Sequence, residues 1–374
     1  MLVRVAAFFR YLIPAMIAVA GWAQQPAARY TVPRPALPAD PLELATGATK
    51  LLDTPQERAT VLGLLERARQ NSDLWGPTQP YKLKLTFNSW GNALYTGAGE
   101  MEQIWEGVSR FRFTVRVGAF TQTRLFTNGR AYDVRSNSFV PLRVQMVRAV
   151  VLWPMNFGPR SMMRIAAGRL GETDLLCALF SGAGNDPQEM SSVPGRRWSE
   201  TEFCVEPNSG LLRVYSEAPG IYAAYDYAGG MKLHGHVLPA SITVTEAGEE
   251  VLAIHLDSIA EPTPADLRQL EPTGELASAE AGDALAFPVR FPQFMDAPAA
   301  YRGEVHPVVV HAILGGDGRP LDQEALQNSD PELTEAAMAL VRSSTYPSPR
   351  AARTQREVFI TVKFKVPVSG TPTP

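Results

Sequence analysis

An alternation of apolar and polar side chains at residues 110–117 constrains the fold more than any other stretch. The run Arg-Phe-Arg-Phe-Thr-Val-Arg-Val has an apolar side chain at every second position, which is the period of a β-strand. Residues 81–87 alternate in the same way, and residues 120–127 read as a further strand that turns back at Asn128-Gly129. The pattern predicts antiparallel neighbours with one apolar face and one solvated face.

Strand patterns resume after residue 197. The predicted strands are Trp198–Val205, Leu211–Ser216, Ile221–Tyr227, Met231–Val237, Ser241–Thr245 and Val251–Ile259. They indicate one long antiparallel sheet over residues 81–259, interrupted by a helical insertion.

Helical patterns lie before the sheet and inside it. The first helix begins at a capping box formed by Thr54 and Glu57. Pro141–Trp153 reads as a second helix and Ser161–Leu170 as a short third one. Ser181–Pro194 has the composition of a loop.

Residues 1–23 have the features of an export signal. Arg4 and Arg10 supply the positive end, an apolar core follows, and Gly21-Trp-Ala23 offers small residues for cleavage. We expect a cleaved signal and a periplasmic protein without a membrane span. The alternative is an uncleaved segment that tethers the chain to the inner membrane. The Pro-rich residues 24–50 are expected to form an extended tether.

The chain has two cysteines, Cys177 and Cys204. In an oxidising compartment two thiols can form one bridge. Closing this loop would stabilise the fold by roughly 3–4 kcal/mol in the chain-entropy model. Two separate buried thiols are the alternative.

Composition and motifs argue against several functional classes. The net charge of −3 gives no basic field to hold nucleic acid. The sequence contains neither G-x-S-x-G nor H-E-x-x-H, and we expect no enzyme and no cofactor. An envelope hydrolase is the least favoured alternative. His234 and His236 would share one face of a strand, yet a metal site needs three or four ligands, so we expect a structural or solvated pair.

Arginines are frequent in the first half of the sheet and in the helix that interrupts it. We expect most of them to form the solvated face of the sheet, with lipid headgroups or an acidic partner as the alternative. They are Arg110, Arg112, Arg116, Arg124, Arg130, Arg135, Arg143 and Arg148.

The C-terminal residues resemble the TonB C-terminal domain family. The matching features are the strand Val308–Val310, the turn Gly316-Asp-Gly318, the helix Pro331–Val341, the pair Tyr346-Pro347 and the strand Val358–Val366. The resemblance implies a periplasmic unit that recognises an envelope or outer-membrane protein by strand addition. Energy-transducing members also have an uncleaved membrane helix and a long spacer. We find neither in this sequence and do not expect energy transduction.

The strand expected to receive the partner is Glu357–Val366, at an edge of the C-terminal sheet. Its candidate contact residues are Val358, Ile360, Val362 and Phe364.

The sheet segment looks like the lipoprotein-carrier fold of the LolA/LolB type. The supporting features are the strands Tyr81–Phe87 and Phe111–Val117, the turn Asn208–Leu212, and Leu238-Pro239 ahead of a further strand. That family has a curved antiparallel sheet closed on one side by helices, with an apolar cavity for acyl chains. The apolar face is therefore either a filled core or the lining of such a cavity. The candidate lining residues are Leu85, Phe87, Trp105, Phe111, Phe113, Val115 and Tyr132.

These features predict an α+β fold, in which a large curved antiparallel sheet with covering helices precedes a small TonB-like β-α-β domain. The expected bounds are 51–260 for the sheet domain, 261–300 for a Pro-rich linker, 301–367 for the TonB-like domain and 368–374 for a disordered tail. The predicted function is non-catalytic recognition of an envelope protein by strand addition. Carriage of a lipid or lipoprotein acyl chain is the alternative.

Overall fold

The computed structural model describes residues 50–52, 54–75, 79–137, 140–157, 162–181, 200–218, 220–246, 248–278, 289–301, 307–326, 330–347 and 355–365. The predicted export signal, the tether up to residue 49, the tail and residues 182–194 of the predicted loop lie outside the described residues.

One large antiparallel sheet dominates the fold and confirms the predicted α+β class. Its strands are β1 (Lys50–Leu51), β2 (Tyr81–Ser89), β3 (Gly97–Gly107), β4 (Arg110–Val117), β5 (Phe120–Thr127), β6 (Arg130–Arg135), β7 (Met162–Leu170), β8 (Thr173–Ser181), β9 (Glu200–Val205), β10 (Leu212–Ala218), β11 (Ile221–Asp226), β14 (Ser241–Glu246) and β15 (Glu249–Ala260). These thirteen strands pair in the order β1-β7-β8-β9-β10-β11-β14-β15-β2-β3-β4-β5-β6. The sheet is open, because its edge strands β1 and β6 do not pair with each other.

Two local predictions in this region are wrong. Residues 162–170, predicted as a helix, form strand β7, which pairs with β8 along its whole length. Pairing with a neighbouring apolar strand outweighs the helical spacing of a short segment. The predicted strand Met231–Val237 is a hairpin of β12 (Met231–Leu233) and β13 (His236–Leu238). Its turn contains His234, which has a positive φ of 50°.

Two helices cover the apolar face of the sheet, α1 (Pro55–Ser72) and α2 (Leu142–Leu152). The N-cap predicted for α1 is present, since the amide of Glu57 donates to Oγ1 of Thr54 at 3.3 Å. The Thr54 hydroxyl also donates to the Glu57 carboxylate at 2.8 Å. In α2 every residue but Ala149 is buried. A helix buried on all sides must lie between two other layers.

The second layer over α2 is a C-terminal unit. Its strands are β16 (Val289–Asp296), β17 (Val308–Leu314), β18 (Pro320–Ala325) and β19 (Arg356–Lys365), and its helix is α5 (Pro331–Ser343). One face of this small sheet packs on α5 through Val308, Val310 and Ile360. The opposite face contributes Val309 and Phe359 to the apolar cluster of the large sheet. The unit is therefore packed on the large domain.

The position of β19 corrects the prediction of a free partner-binding edge. The C-terminal sheet has the order β16-β19-β17-β18, so β19 is paired on both sides. Val358, Ile360 and Val362 are fully buried beneath α5, and Phe364 is partly buried against the same cluster. The edges of the sheet are β16 and β18, which could not be ordered from the sequence because pairing order depends on tertiary contacts.

The region predicted as an irregular linker, 261–300, is instead divided between the two sheets. Its first part forms the short helices α3 (Pro264–Arg268) and α4 (Glu275–Ser278), and Leu270 packs with Ile104 and Leu125 on the outer face of the large sheet. Its last part is β16, which pairs in parallel with β19. The C-terminal unit thus includes residues from before 301.

The predicted disulfide between Cys177 and Cys204 is confirmed. The two residues are directly opposite each other on β8 and β9. They belong to a small apolar cluster with Leu175 and Val214.

Candidate functional site

The predicted ligand face is a packed layer under α1 and α2. Aromatic rings fill it, and Trp105 stacks on Phe111 at 5.5 Å between ring centroids and lies 4.7 Å from Trp75. Six of the seven candidates are no more than 3% exposed in this layer, namely Leu85, Phe87, Trp105, Phe111, Phe113 and Val115. Whether these side chains ever line a ligand chamber stays a prediction.

Tyr132 was assigned to the wrong face. It is directly opposite Leu125 in the pairing of β5 with β6, and paired residues of an antiparallel ladder share a face. That face is the outer one, where Leu125 and Tyr132 pack with Leu270.

The N-terminus of α2 is capped by the C-terminal unit. Pro141 stands at the N-cap position and supplies no side-chain hydrogen bond. Instead the amide of Leu142 donates to Oε2 of Glu357 at 2.5 Å, and the amide of Leu94 donates to Oε1 at 2.8 Å. A carboxylate at this position satisfies a free amide and interacts favourably with the helix dipole. Glu357, on β19, thus fastens the C-terminal unit to α2.

A buried polar cluster surrounds this cap. Both Nη atoms of Arg143 bind the carboxylate of Glu246, at 2.6 and 3.0 Å. His311 is 1% exposed, with Nδ1 3.1 Å from Oε1 of Glu324 and Nε2 3.8 Å from Oε1 of Glu357. The cluster joins α2, the end of β14 and the strands of the C-terminal unit.

Burial and charge act against each other in this cluster. Burial lowers the pKa of His311, but its hydrogen bond to Glu324 and the charges of Glu246 and Glu357 outweigh burial and raise the pKa overall. Burial raises the pKa of Glu357 although His311 and Arg143 oppose the effect. Protonated His311 and the carboxylates therefore stabilise one another.

Three groups of this cluster have the spacing of metal ligands. Glu246, His311 and Glu324 each place one ligand atom within 4.8 Å of the others. Because Arg143 already neutralises the Glu246 carboxylate with two hydrogen bonds, the arrangement fits an ion-pair cluster better than a cation site. Cys177 and Cys204 lie near Glu202, but their sulfurs are joined in the disulfide.

The predicted histidine pair is separated by the structure. His234 lies in the β12–β13 turn with Nε2 3.6 Å from Glu261, whereas His236 lies on β13. Burial lowers the pKa of His236. The two residues do not share one strand face.

Sequence reasoning missed the buried arginines. Arg124, Arg143 and Arg148 were expected on a solvated face, yet each is at most 5% exposed. One signal was present for the last two, since the segment 142–152 is apolar around most of its circumference and leaves no solvated side for a charge.

A small pocket lies between α2, the large sheet and the C-terminal unit. Its volume of about 20 Å³ has room for about one water molecule in this conformation. None of the predicted cavity residues lines it. The lining residues are Met146, Ala149, Val150, Tyr215, Glu217, Ile221, Ala223, Val244 and Phe359.

Comparisons with known proteins give partial likenesses. No protein-family model matches the chain, and no curated protein matches it. A LolA superfamily protein from Nitrosomonas europaea is 11% identical, with a TM-score of 0.37 over 54% of this chain and 93% of that one. A DUF1329 family protein from Desulfovibrio piger is 9% identical, with a TM-score of 0.36 over 57% and 96%. MucB in complex with MucA(peri) is 12% identical, with a TM-score of 0.23 over 60% and 62%. Because all three TM-scores are below 0.5, these similarities support no conclusion about the function of this chain.

In the part of the chain that the structure describes, no helix combines the length and the apolar character needed to cross a membrane.

Proposed function

We propose that this chain is an exported, non-catalytic binding protein of the cell envelope that holds an apolar ligand, such as an acyl chain, beneath α2. The observation that carries the proposal is the pocket lined from three directions. Met146 and Val150 come from α2, Ile221 and Val244 from the large sheet, and Phe359 from the C-terminal unit. Ligand pockets in proteins are lined mainly by apolar side chains and occur preferentially where separate structural units meet.

The packing of the C-terminal unit supports a movable cover. Phe359 lines the pocket, and Glu357, two residues before it on β19, caps α2. Movement of β19 away from α2 would enlarge the pocket and release the cap together. The cover is held by this cap and by the apolar contacts of Val309 and Phe359 with the large domain, and both would have to break for the pocket to open.

Two features support an envelope location. The first residues have the charge and apolar pattern of an export signal. The disulfide between Cys177 and Cys204 fits an oxidising compartment.

The test fills the pocket in steps. In the full chain, Ala149→Val, Ala149→Leu and Ala149→Phe add increasing volume to the lining. Binding of a fluorescent fatty acid should weaken in that order, by about tenfold or more for Ala149→Phe, since each buried methylene is worth about 0.8 kcal/mol. Ala339→Phe, on an exposed position of α5, is the matched control. Equal affinity of wild type and Ala149→Phe would contradict the proposal.

A second candidate, strand addition to the C-terminal unit, is favoured by its edges. Of the four exposed large apolar side chains among the described residues, Phe294 lies on β16 and Leu321 on β18, each 58% exposed. Pro292 removes one amide from the backbone of β16. We therefore propose β18 as the receiving edge if the unit binds a partner strand.

Point variants test this candidate better than deletion of the unit, because deletion would also remove Glu357 from α2. Leu321→Asp should abolish cross-linking of the purified chain to outer-membrane proteins, whereas Phe294→Asp on β16 should preserve it. Both changes are exposed and should alter stability by no more than about 0.5 kcal/mol. Loss of cross-linking with Phe294→Asp alone would reassign the edge, and no effect of either change would refute strand addition.

A further inference from the structure

Arg148 is the one buried arginine among the described residues whose side chain has no bound carboxylate. The other three each have one: Arg124 binds Asp133, Arg143 binds Glu246 and Arg164 binds Glu200. Arg148 is 1% exposed, and its Nε and Nη2 atoms have no hydrogen-bond partner. Burial of a charge without a partner is among the costliest arrangements in a protein.

Arg164 shows what the two unpartnered atoms can do. Its Nε and Nη2 bind the two oxygens of Glu200, each at 2.7 Å. In Arg148 the same pair of atoms, which forms a planar fork for two oxygens, is unused.

The groups around Arg148 leave a positive charge uncompensated. Asp133 is the nearby carboxylate, but it already accepts from Gln122 at 2.9 Å and from Arg124 at 3.3 Å. Burial, and then repulsion by Arg124, lower the pKa of Arg148 to about 9 although Asp133 opposes them. A bound anion would offset both the burial of the Arg148 charge and its repulsion by Arg124.

Two aromatic rings lie against the Arg148 guanidinium. The guanidinium carbon lies 4.7 Å above the Phe113 ring and 5.6 Å from the Trp153 ring. Trp75, in turn, packs on Trp153 at 5.1 Å between ring centroids. Both tryptophans are partly exposed, so displacement of their rings would give access to Arg148 from solvent.

We propose that the Nε and Nη2 atoms of Arg148 bind the oxyanion of an acidic amphiphile, a carboxylate or phosphate carried on an apolar body. The oxyanion would occupy the fork, and the apolar body would lie among the aromatic rings. This site is on the opposite side of α2 from the Met146–Val150 pocket and does not depend on that pocket.

The test compares probes that differ in charge. Calorimetric titration of the full chain uses laurate, lauryl phosphate, methyl laurate and inorganic phosphate. We expect laurate and lauryl phosphate to bind at least about tenfold more tightly than methyl laurate, because hydrogen bonds to charged groups contribute more than those between neutral groups. Equal binding of laurate and methyl laurate, or no binding of any probe, would overturn the proposal. If inorganic phosphate binds as tightly as lauryl phosphate, the site takes a free anion and the amphiphile is excluded.

Variants then assign the selectivity to the fork. Arg148→Met should abolish the preference for laurate over its methyl ester, and Arg148→Lys, which keeps the charge but lacks the fork, should reduce it. Arg116→Gln, at an exposed residue on β4, is the control and should bind as wild type does. Because Arg148→Met removes an unpaired charge, its urea midpoint without ligand should equal or exceed that of wild type. If Arg148→Met lowers the urea midpoint and Arg148→Lys keeps the full preference for laurate over its methyl ester, Arg148 has a structural role. That result would refute its assignment as the oxyanion site.

Discussion

Removal of the Glu357 carboxylate tests whether the C-terminal unit holds α2 in place. In the full chain, Glu357→Ala would leave the amides of Leu142 and Leu94 without their acceptor. Leu142 is fully buried, so water cannot replace the lost hydrogen bond without local opening. Glu357→Gln would keep one acceptor oxygen and remove the charge.

The expected magnitude follows from these contacts. An unsatisfied buried amide costs about 1–3 kcal/mol, and the loss at the partly buried Leu94 is smaller. Relief from burying a carboxylate offsets part of the sum, since burial raises the pKa of Glu357. We expect Glu357→Ala to lower the free energy of unfolding by about 2–4 kcal/mol. We expect Glu357→Gln to lower it by about 1–2 kcal/mol, mainly through the lost interaction with the helix dipole.

Urea unfolding and amide hydrogen exchange measure the effect. If the contact between Glu357 and α2 opens locally, amide exchange at Leu142 should accelerate about 30-fold or more in Glu357→Ala, because 1.4 kcal/mol corresponds to a factor of ten. Glu332→Gln is the matched control, since Glu332 is also in the first turn of a helix but is exposed. A Glu357→Ala protein within about 0.5 kcal/mol of wild type, with unchanged exchange at Leu142, would refute the capping role.

Three further perturbations test the packing. Burial raises the pKa of Asp73 to about 6, whereas the pKa of Asp in an unfolded chain is near 4. The charge of Asp73 therefore destabilises the fold increasingly as the pH rises from about 4 to about 6. Asp73→Asn keeps an acceptor for the amide of Met155. In urea unfolding it should raise the free energy of unfolding by about 1–3 kcal/mol at pH 7.5 and leave it unchanged below pH 4. Equal stabilisation at both pH values would contradict the raised pKa of Asp73. Reduction of the disulfide, which closes a loop of 27 residues' separation, should cost about 3–4 kcal/mol in the same assay, and an unchanged midpoint would exclude a stabilising role. Gly318→Ala should destabilise the C-terminal unit by about 2 kcal/mol or more, because the φ of Gly318 is +80° and a Cβ would lie 2.1 Å from the Tyr346 carbonyl oxygen. Hydrogen exchange in α5 measures this effect, and unchanged exchange would show that the contact relaxes freely.

Alternating patterns made much of the large sheet predictable. Once Phe111 and Phe113 share a face, the pleat of the strand fixes which side is apolar, and the turn at Asn128-Gly129 fixes the next pairing. The N-cap at Thr54 was also predictable, because its hydrogen bond to Glu57 spans only four residues. The two cysteines could be expected to pair only if the chain brought β8 and β9 together.

Only the tertiary structure decided how the layers meet. Residues 162–170 became a strand because β8 pairs with them, and β19 became an inner strand because β16 arrives from the predicted linker. The burial of Arg143 and Arg148 has the same origin, since α2 is covered by one sheet on each side. Local sequence periodicity determines which face of an element is apolar. Which other element covers that face, and which charges are trapped between them, depends on contacts between residues as far apart as Leu142 and Glu357.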